Sequence, residues 1–121
     1  ETRDLDSFTF ISLPTFIKID VEGHELSVLK GSNKILQCEE LLGILVEING
    51  NQSRYGFEED SIENYLNKYN FLPYTYNPKE KNFFRIDNII PKGNTLFIRD
   101  LQKVKEKIIS KKTVKLWNMK L

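Results

Sequence analysis

The sequence predicts an α/β fold built around a parallel pair of strands. Thr15–Val21 (TFIKIDV) and Gly43–Ile48 (GILVEI) are apolar runs of strand length, rich in β-branched residues. In the first, Phe16, Ile17, Ile19 and Val21 are apolar on both alternations and only Lys18 interrupts, the pattern of a strand covered on two faces. The stretch between the two runs has helical spacing. The resulting βαβ crossover should be right-handed within one sheet.

Each element follows from its residues. Pro14 marks the entry to the first strand and Gly23 its end. Leu26, Val28 and Leu29 sit at helical spacing, Gly31 breaks the helix, and Ser32 is a cap for a second short helix holding Ile35 and Leu36. Asn49-Gly50 closes the second strand, and the polar stretch 51–59 reads as a loop. Asp60 or Ser61 caps the next helix, in which Ile62, Tyr65, Leu66 and Tyr69 fall at i, i+3, i+4 and i+7. Asn70 suits a left-handed stop. Phe71–Tyr76 and Thr95–Ile98 read as the third and fourth strands. The 18 residues between them contain Pro78, Pro91, Gly93 and Phe83-Phe84, and a loop of that length is expected to be a lid or an excursion over the site. Leu101, Val104, Ile108 and Ile109 define a terminal amphipathic helix, with Trp117 alone in the tail beyond it. Two units are expected, an α/β unit over 1–100 and a basic helix and tail over 101–121.

Composition narrows the function classes. With 121 residues, 40% of them apolar and 29% charged, and a mean hydropathy of −0.42, the chain is of single-domain size and globular rather than disordered. No run of about 18 apolar residues is present to cross a bilayer, so no membrane partner is expected. The single cysteine, Cys38, excludes an internal disulfide framework and suits a reducing, cytoplasmic compartment. The first residue is Glu1 rather than Met, which reads as an excerpt or a processed piece.

The net charge of +1 conceals an asymmetry: residues 1–98 carry 10 basic and 15 acidic side chains, whereas 99–121 carry Arg99 and seven lysines against Asp100 and Glu106. The basic segment reads as a solvated helix face. It lacks the interleaved aromatics that stack bases, so nucleic acid is not an expected partner.

Ligands of open α/β sheets bind outside the carboxyl ends of the parallel strands. There the sequence places Asp20 and Glu22 after the first strand, Glu47 near the end of the second, and His24, the only histidine. A carboxylate beside an imidazole fixes its tautomer and raises its basicity, as a general base acting on a hydroxyl requires. Structural roles compete with this reading. Asp20 or Glu22 can cap the following helix, and a histidine at a helix start is often only a surface residue. A metal set of Asp20, Glu22, His24 and Glu47 is chemically allowed but nonspecific.

A resemblance bears on the same residues. LDSF (Leu5–Phe8), followed by FIKIDVEGHELSVLKGS (Phe16–Ser32), resembles the signature of FkbM-type methyltransferases. GILVEI (Gly43–Ile48) is similar to that family's next strand and NTLFI (Asn94–Ile98) to its closing strand. The likeness is specific through residues 5–48, rests on element order between Asn49 and Gly93, and is absent beyond Asp100.

It implies the C-terminal half of a class I, Rossmann-like methyltransferase sheet. The four strands would be the fourth to seventh of that fold: two parallel strands, then an antiparallel C-terminal hairpin, with flanking helices. It also implies S-adenosylmethionine as cofactor and a hydroxyl of a sugar, glycan or secondary metabolite as acceptor. Asp20 would face the reactive end of the cofactor, His24 would be the base, and Glu22 and Glu47 would orient it or bind acceptor hydroxyls.

No two glycines here are separated by a single residue, so the glycine-rich turn of the cofactor pocket is not in this sequence. The missing N-terminal half is thus an expected partner. Without it the chain should bind cofactor weakly, be inactive and be less stable than an intact domain, with TFIKIDV exposed as an unpaired edge. A second reading, from a different class, is a non-catalytic α/β interaction module that uses the basic tail or the aromatics Tyr74, Tyr76, Phe83 and Phe84.

Overall fold

The computed structural model describes residues 3–50 and 60–110. The loop expected over 51–59 and the tail with Trp117 lie outside the described residues, and Asp60 and Ser61, expected to cap the third helix, are instead helical themselves. A 3-10 turn, Leu5–Ser7, precedes β1 (Phe16–Ile19), α1 (Glu25–Lys30), α2 (Asn33–Gln37) and β2 (Gly43–Ile48). Then come α3 (Asp60–Asn67), β3 (Leu72–Asn77), β4 (Asn82–Arg85), β5 (Gly93–Ile98) and α4 (Leu101–Ser110).

The five strands form one mixed sheet in the order β1-β2-β5-β3-β4. β1 and β2 are parallel, with Ile17 opposite Ile44 and Ile19 opposite Val46. The cover on two faces expected of β1 is not found: Phe16 and Lys18 are exposed on one face, and Ile19 is the buried residue of the strand. β5 enters between β2 and β3, antiparallel to both. The expected antiparallel closing pair is therefore present, but β3 and β5 are not successive strands. The segment read as a lid contains β4, a hairpin partner of β3 that pairs Tyr76 with Phe83.

Its turn contains no glycine. Lys81 takes the left-handed position at φ 50°, and Asn77 Oδ1 accepts the N–H groups of Lys79 and Glu80. Of the four aromatics singled out, Tyr76 and Phe84 remain exposed. The rings of Tyr76 and Phe83 lie 4.9 Å apart as a cross-strand pair, and Arg85 sits over Tyr74.

Strand alternation sends Ile19, Ile44, Val46, Ile48 and Phe97 to one face of the sheet. There they are buried with Leu26 and Leu29 of α1, Ile35 and Leu36 of α2, and Ile62 and Leu66 of α3. The i, i+3, i+4, i+7 stripe of α3 is thus confirmed. Tyr65 and Tyr69 flank the buried Ile62 and Leu66, and both hydroxyls donate to Asn33 Oδ1. Asn70, at φ 63°, ends the helix region as predicted, and the Phe71 N–H returns to the Leu66 carbonyl.

Two interactions that sequence pattern did not reveal hold the helices down. Ser32 stands at the N-cap of α2 without capping it, since its hydroxyl donates to the Val28 carbonyl. The cap comes instead from Asp6, whose carboxylate accepts the N–H groups of Lys34 and Ile35 at 2.9 and 3.2 Å, while its own N–H donates to Gly31 O. The LDSF segment therefore serves to fasten the α1–α2 turn.

Arg99 is the second fastener and does not belong to the solvated basic face assigned to it. From the end of β5 its guanidinium donates to the carbonyls of Leu36, Cys38 and Tyr69 and lies 4.2 Å over the Phe71 ring. Burial pushes its pKa down.

The other face of the sheet is thinly covered. α4 approaches it through Val104 and Ile108, leaving an apolar cavity of about 440 Å³ against Phe16, Gly43, Leu96 and Ile98. The Phe16 ring lies over Gly43, where a Cβ would come within 2.9 Å of it, yet Phe16 remains half-exposed. Among the described residues, β1 pairs with β2 alone and forms an edge of the sheet. Phe8, Phe10, Ile11 and Leu13 before it, and Val21 after it, are also exposed. No helix among the described residues is long and apolar enough to cross a membrane.

Candidate active site

The carboxyl ends of β1 and β2 lie side by side because the two strands are parallel and in register. On the thinly covered face, Lys18 stands opposite Leu45, and Glu47 is two residues further along the same face. Asp20 follows the last residue of β1. Lys18 Nζ donates to Asp20 Oδ2 at 2.9 Å and lies 3.6 Å from Glu47 Oε2. The hydrogen bond and charge of Asp20, with Glu47 adding, hold the lysine ammonium above its usual pKa. All three side chains are partly exposed, so the cluster is open to a ligand.

The turn from β1 into α1 is set by backbone conformation. Glu22 and Gly23 are both left-handed, at φ 51° and 104°. Glycine adopts this region freely, whereas Glu22 has to be held in it. The holding group is Glu25, a wholly buried carboxylate whose Oε1 accepts the Gly23 N–H at 2.9 Å. Neither Asp20 nor Glu22 is the N-cap of α1. His24 occupies that position without a capping side-chain bond.

Of the residues expected to act together, Asp20 and Glu47 are joined through Lys18. Glu22 is exposed on the turn. His24, also exposed, lines a recess of about 550 Å³ with Asp4, Leu5, Phe8, Ser27 and Val28. Among the described residues, no three His, Cys, Asp or Glu side chains gather into a group that could hold a metal.

Sequence reasoning treated Lys18 as an interruption. The available signal was a cation within an apolar strand, two residues before an acidic strand end. Glu25 gave no such signal, because a glutamate in a first helical turn is ordinarily a solvated one.

A mixed sheet of parallel and antiparallel strands, flanked by helices and with ionisable groups gathered at its parallel strand ends, is consistent with part of a methyltransferase fold. A family model, the methyltransferase FkbM domain, matches residues 1–73, and the chain belongs to that family. The match takes in the Asp6 cap, β1, the 20–25 turn, β2 and α3, and it ends just inside β3. Comparison with curated proteins and with solved structures returns no match. Family membership makes the protein a methyltransferase by domain type.

Proposed function

We propose that the chain is the C-terminal half of an S-adenosylmethionine-dependent O-methyltransferase acting on a hydroxyl of a sugar, glycan or secondary metabolite. The observation that carries this reading is the Lys18–Asp20–Glu47 cluster at the strand ends of an FkbM-family sheet. Two carboxylates and one ammonium leave a single net negative charge there. That charge suits a sulfonium, and the half-exposed side chains leave room for one.

The cofactor, when bound, supplies a methyl group made electrophilic by its sulfonium. This chain's residues supply position and charge, which is where most of the rate of such a transfer originates. Asp20 would face the reactive end of the cofactor. Glu47 would bind an acceptor hydroxyl, and Glu22 would help to orient the groups of the turn. His24, at the start of α1, is the candidate base for the hydroxyl proton. The described residues supply one wall of the cleft. The unpaired edge of β1 and the exposed Phe16 support its completion by the N-terminal half of the same domain, without which the chain would be inactive. The free thiol of Cys38 suits a cytoplasmic setting.

The test is transfer of a radiolabelled methyl group from S-adenosylmethionine, by the full-length protein, to a panel of sugar and glycan hydroxyl acceptors. Base-stable labelled product is expected, as for an ether. Asp20→Asn and His24→Ala should each lower turnover at least tenfold, a loss of about 1.4 kcal/mol or more of transition-state stabilisation, with unchanged thermal melts. Base-labile label, or near-native turnover in both variants, would overturn the reading.

A further inference from the structure

We propose that Lys18 is a positioning residue that sets the charge of the methyl-donor site, bridging Asp20 and Glu47 so that the strand ends present one negative charge rather than two. This inference rests on the methyltransferase reading above. Its own support is geometric. Lys18 lies on the same sheet face as Glu47, within 2.9 Å of one carboxylate and 3.6 Å of the other, and it is the one charged residue in β1.

Stability does not account for this lysine. Its side chain is 52% exposed, and ion pairs of that kind contribute little to folding. An apolar residue would extend the Phe16 surface of β1 instead. What the lysine does is hold two carboxylates of neighbouring strands in one arrangement and cancel one of their charges.

The cancellation matters for methyl transfer. The acceptor oxygen–carbon bond forms as the carbon–sulfur bond breaks and its electron pair returns to sulfur, and the hydroxyl proton passes to the base. Positive charge therefore leaves the sulfur on the way to the transition state. A second uncompensated carboxylate would favour the ground-state sulfonium over that transition state. Lys18 prevents this while keeping Asp20 and Glu47 aligned.

The charge difference between S-adenosylmethionine, a sulfonium, and S-adenosylhomocysteine, a neutral thioether, provides a test that needs no acceptor. Calorimetric titration of the full-length protein with each gives an affinity ratio. In Lys18→Met the ratio should shift toward S-adenosylmethionine by roughly threefold to tenfold, the effect of one unit charge at a half-exposed site. Lys18→Arg should restore the native ratio, and Asp20→Asn, which removes a negative charge instead, should move it the other way. Should Lys18→Met not fold, the Arg and Asn variants still separate charge from packing.

Nuclear magnetic resonance of the Lys18 ammonium supplies a readout independent of ligand, in which Asp20→Asn should lower the lysine pKa. Ratios unchanged across the variants, with both ligands bound, would overturn the role of Lys18 and leave the methyltransferase reading intact. Binding of neither ligand by the native protein would overturn that reading and the inference together.

Discussion

Replacing Arg99 with alanine is expected to lower the stability of the protein by about 3 kcal/mol, a large effect for a half-exposed side chain. The guanidinium donates to three backbone carbonyls, those of Leu36, Cys38 and Tyr69, around the ends of α2 and α3. Helix C-termini carry carbonyls without intrahelical partners, and a buried carbonyl left unpaired costs roughly 1–3 kcal/mol. The cation also sits over the Phe71 ring, so truncation removes packing as well as charge. Thermal melts of the full-length protein should fall by about 6–12 °C, at the roughly 2–4 °C per kcal/mol usual for a domain of 150–250 residues. Arg99→Lys should recover less than half of the loss, because a single ammonium lacks the planar fork that reaches three acceptors. A melt within about 2 °C of native for Arg99→Ala would show that these bonds contribute nothing net.

Glu25→Ala should lower stability by about 2–4 kcal/mol and weaken S-adenosylhomocysteine binding by the full-length protein at least tenfold. Glu25 is wholly buried, and its carboxylate accepts the Gly23 N–H in a turn where two consecutive residues have positive φ. Truncation leaves both a cavity and an unpaired N–H. The turn then relaxes, and with it the backbone that carries Asp20 into α1. Glu25→Gln, which keeps an oxygen acceptor of nearly the same shape, should recover most of both losses. Native stability in Glu25→Ala would mean that the turn holds its own conformation.

The parts of this structure that were legible in the sequence are those governed by apolar periodicity. The strand runs of β1 and β2, the stripe of α3 and the left-handed Asn70 all followed from spacing or residue type, although the two-sided pattern of β1 did not bring cover on both faces. What escaped was decided by single polar side chains reaching across the fold. Asp6 caps a helix 28 residues downstream, displacing the local candidate Ser32, and Arg99 bonds carbonyls more than 60 residues upstream. No local window holds both partners of such a contact. β4 was missed for a different reason. It has four residues, and its turn uses Lys81 in the left-handed position where glycine or asparagine is the usual sign.

At the candidate site, sequence position along the strands brought Asp20 and Glu47 to the right end of the sheet. The cation that joins them was visible only as an irregularity in β1.

The central claim is that the acidic strand ends of β1 and β2 border a methyl-donor cleft. Calorimetric titration of the native full-length protein and its Asp20→Ala variant with S-adenosylhomocysteine tests this most directly. Saturable binding by the native protein, weakened at least tenfold in a variant with an unchanged melt, is the predicted result. Equal affinity in the two proteins, or no binding by the native one, would contradict it.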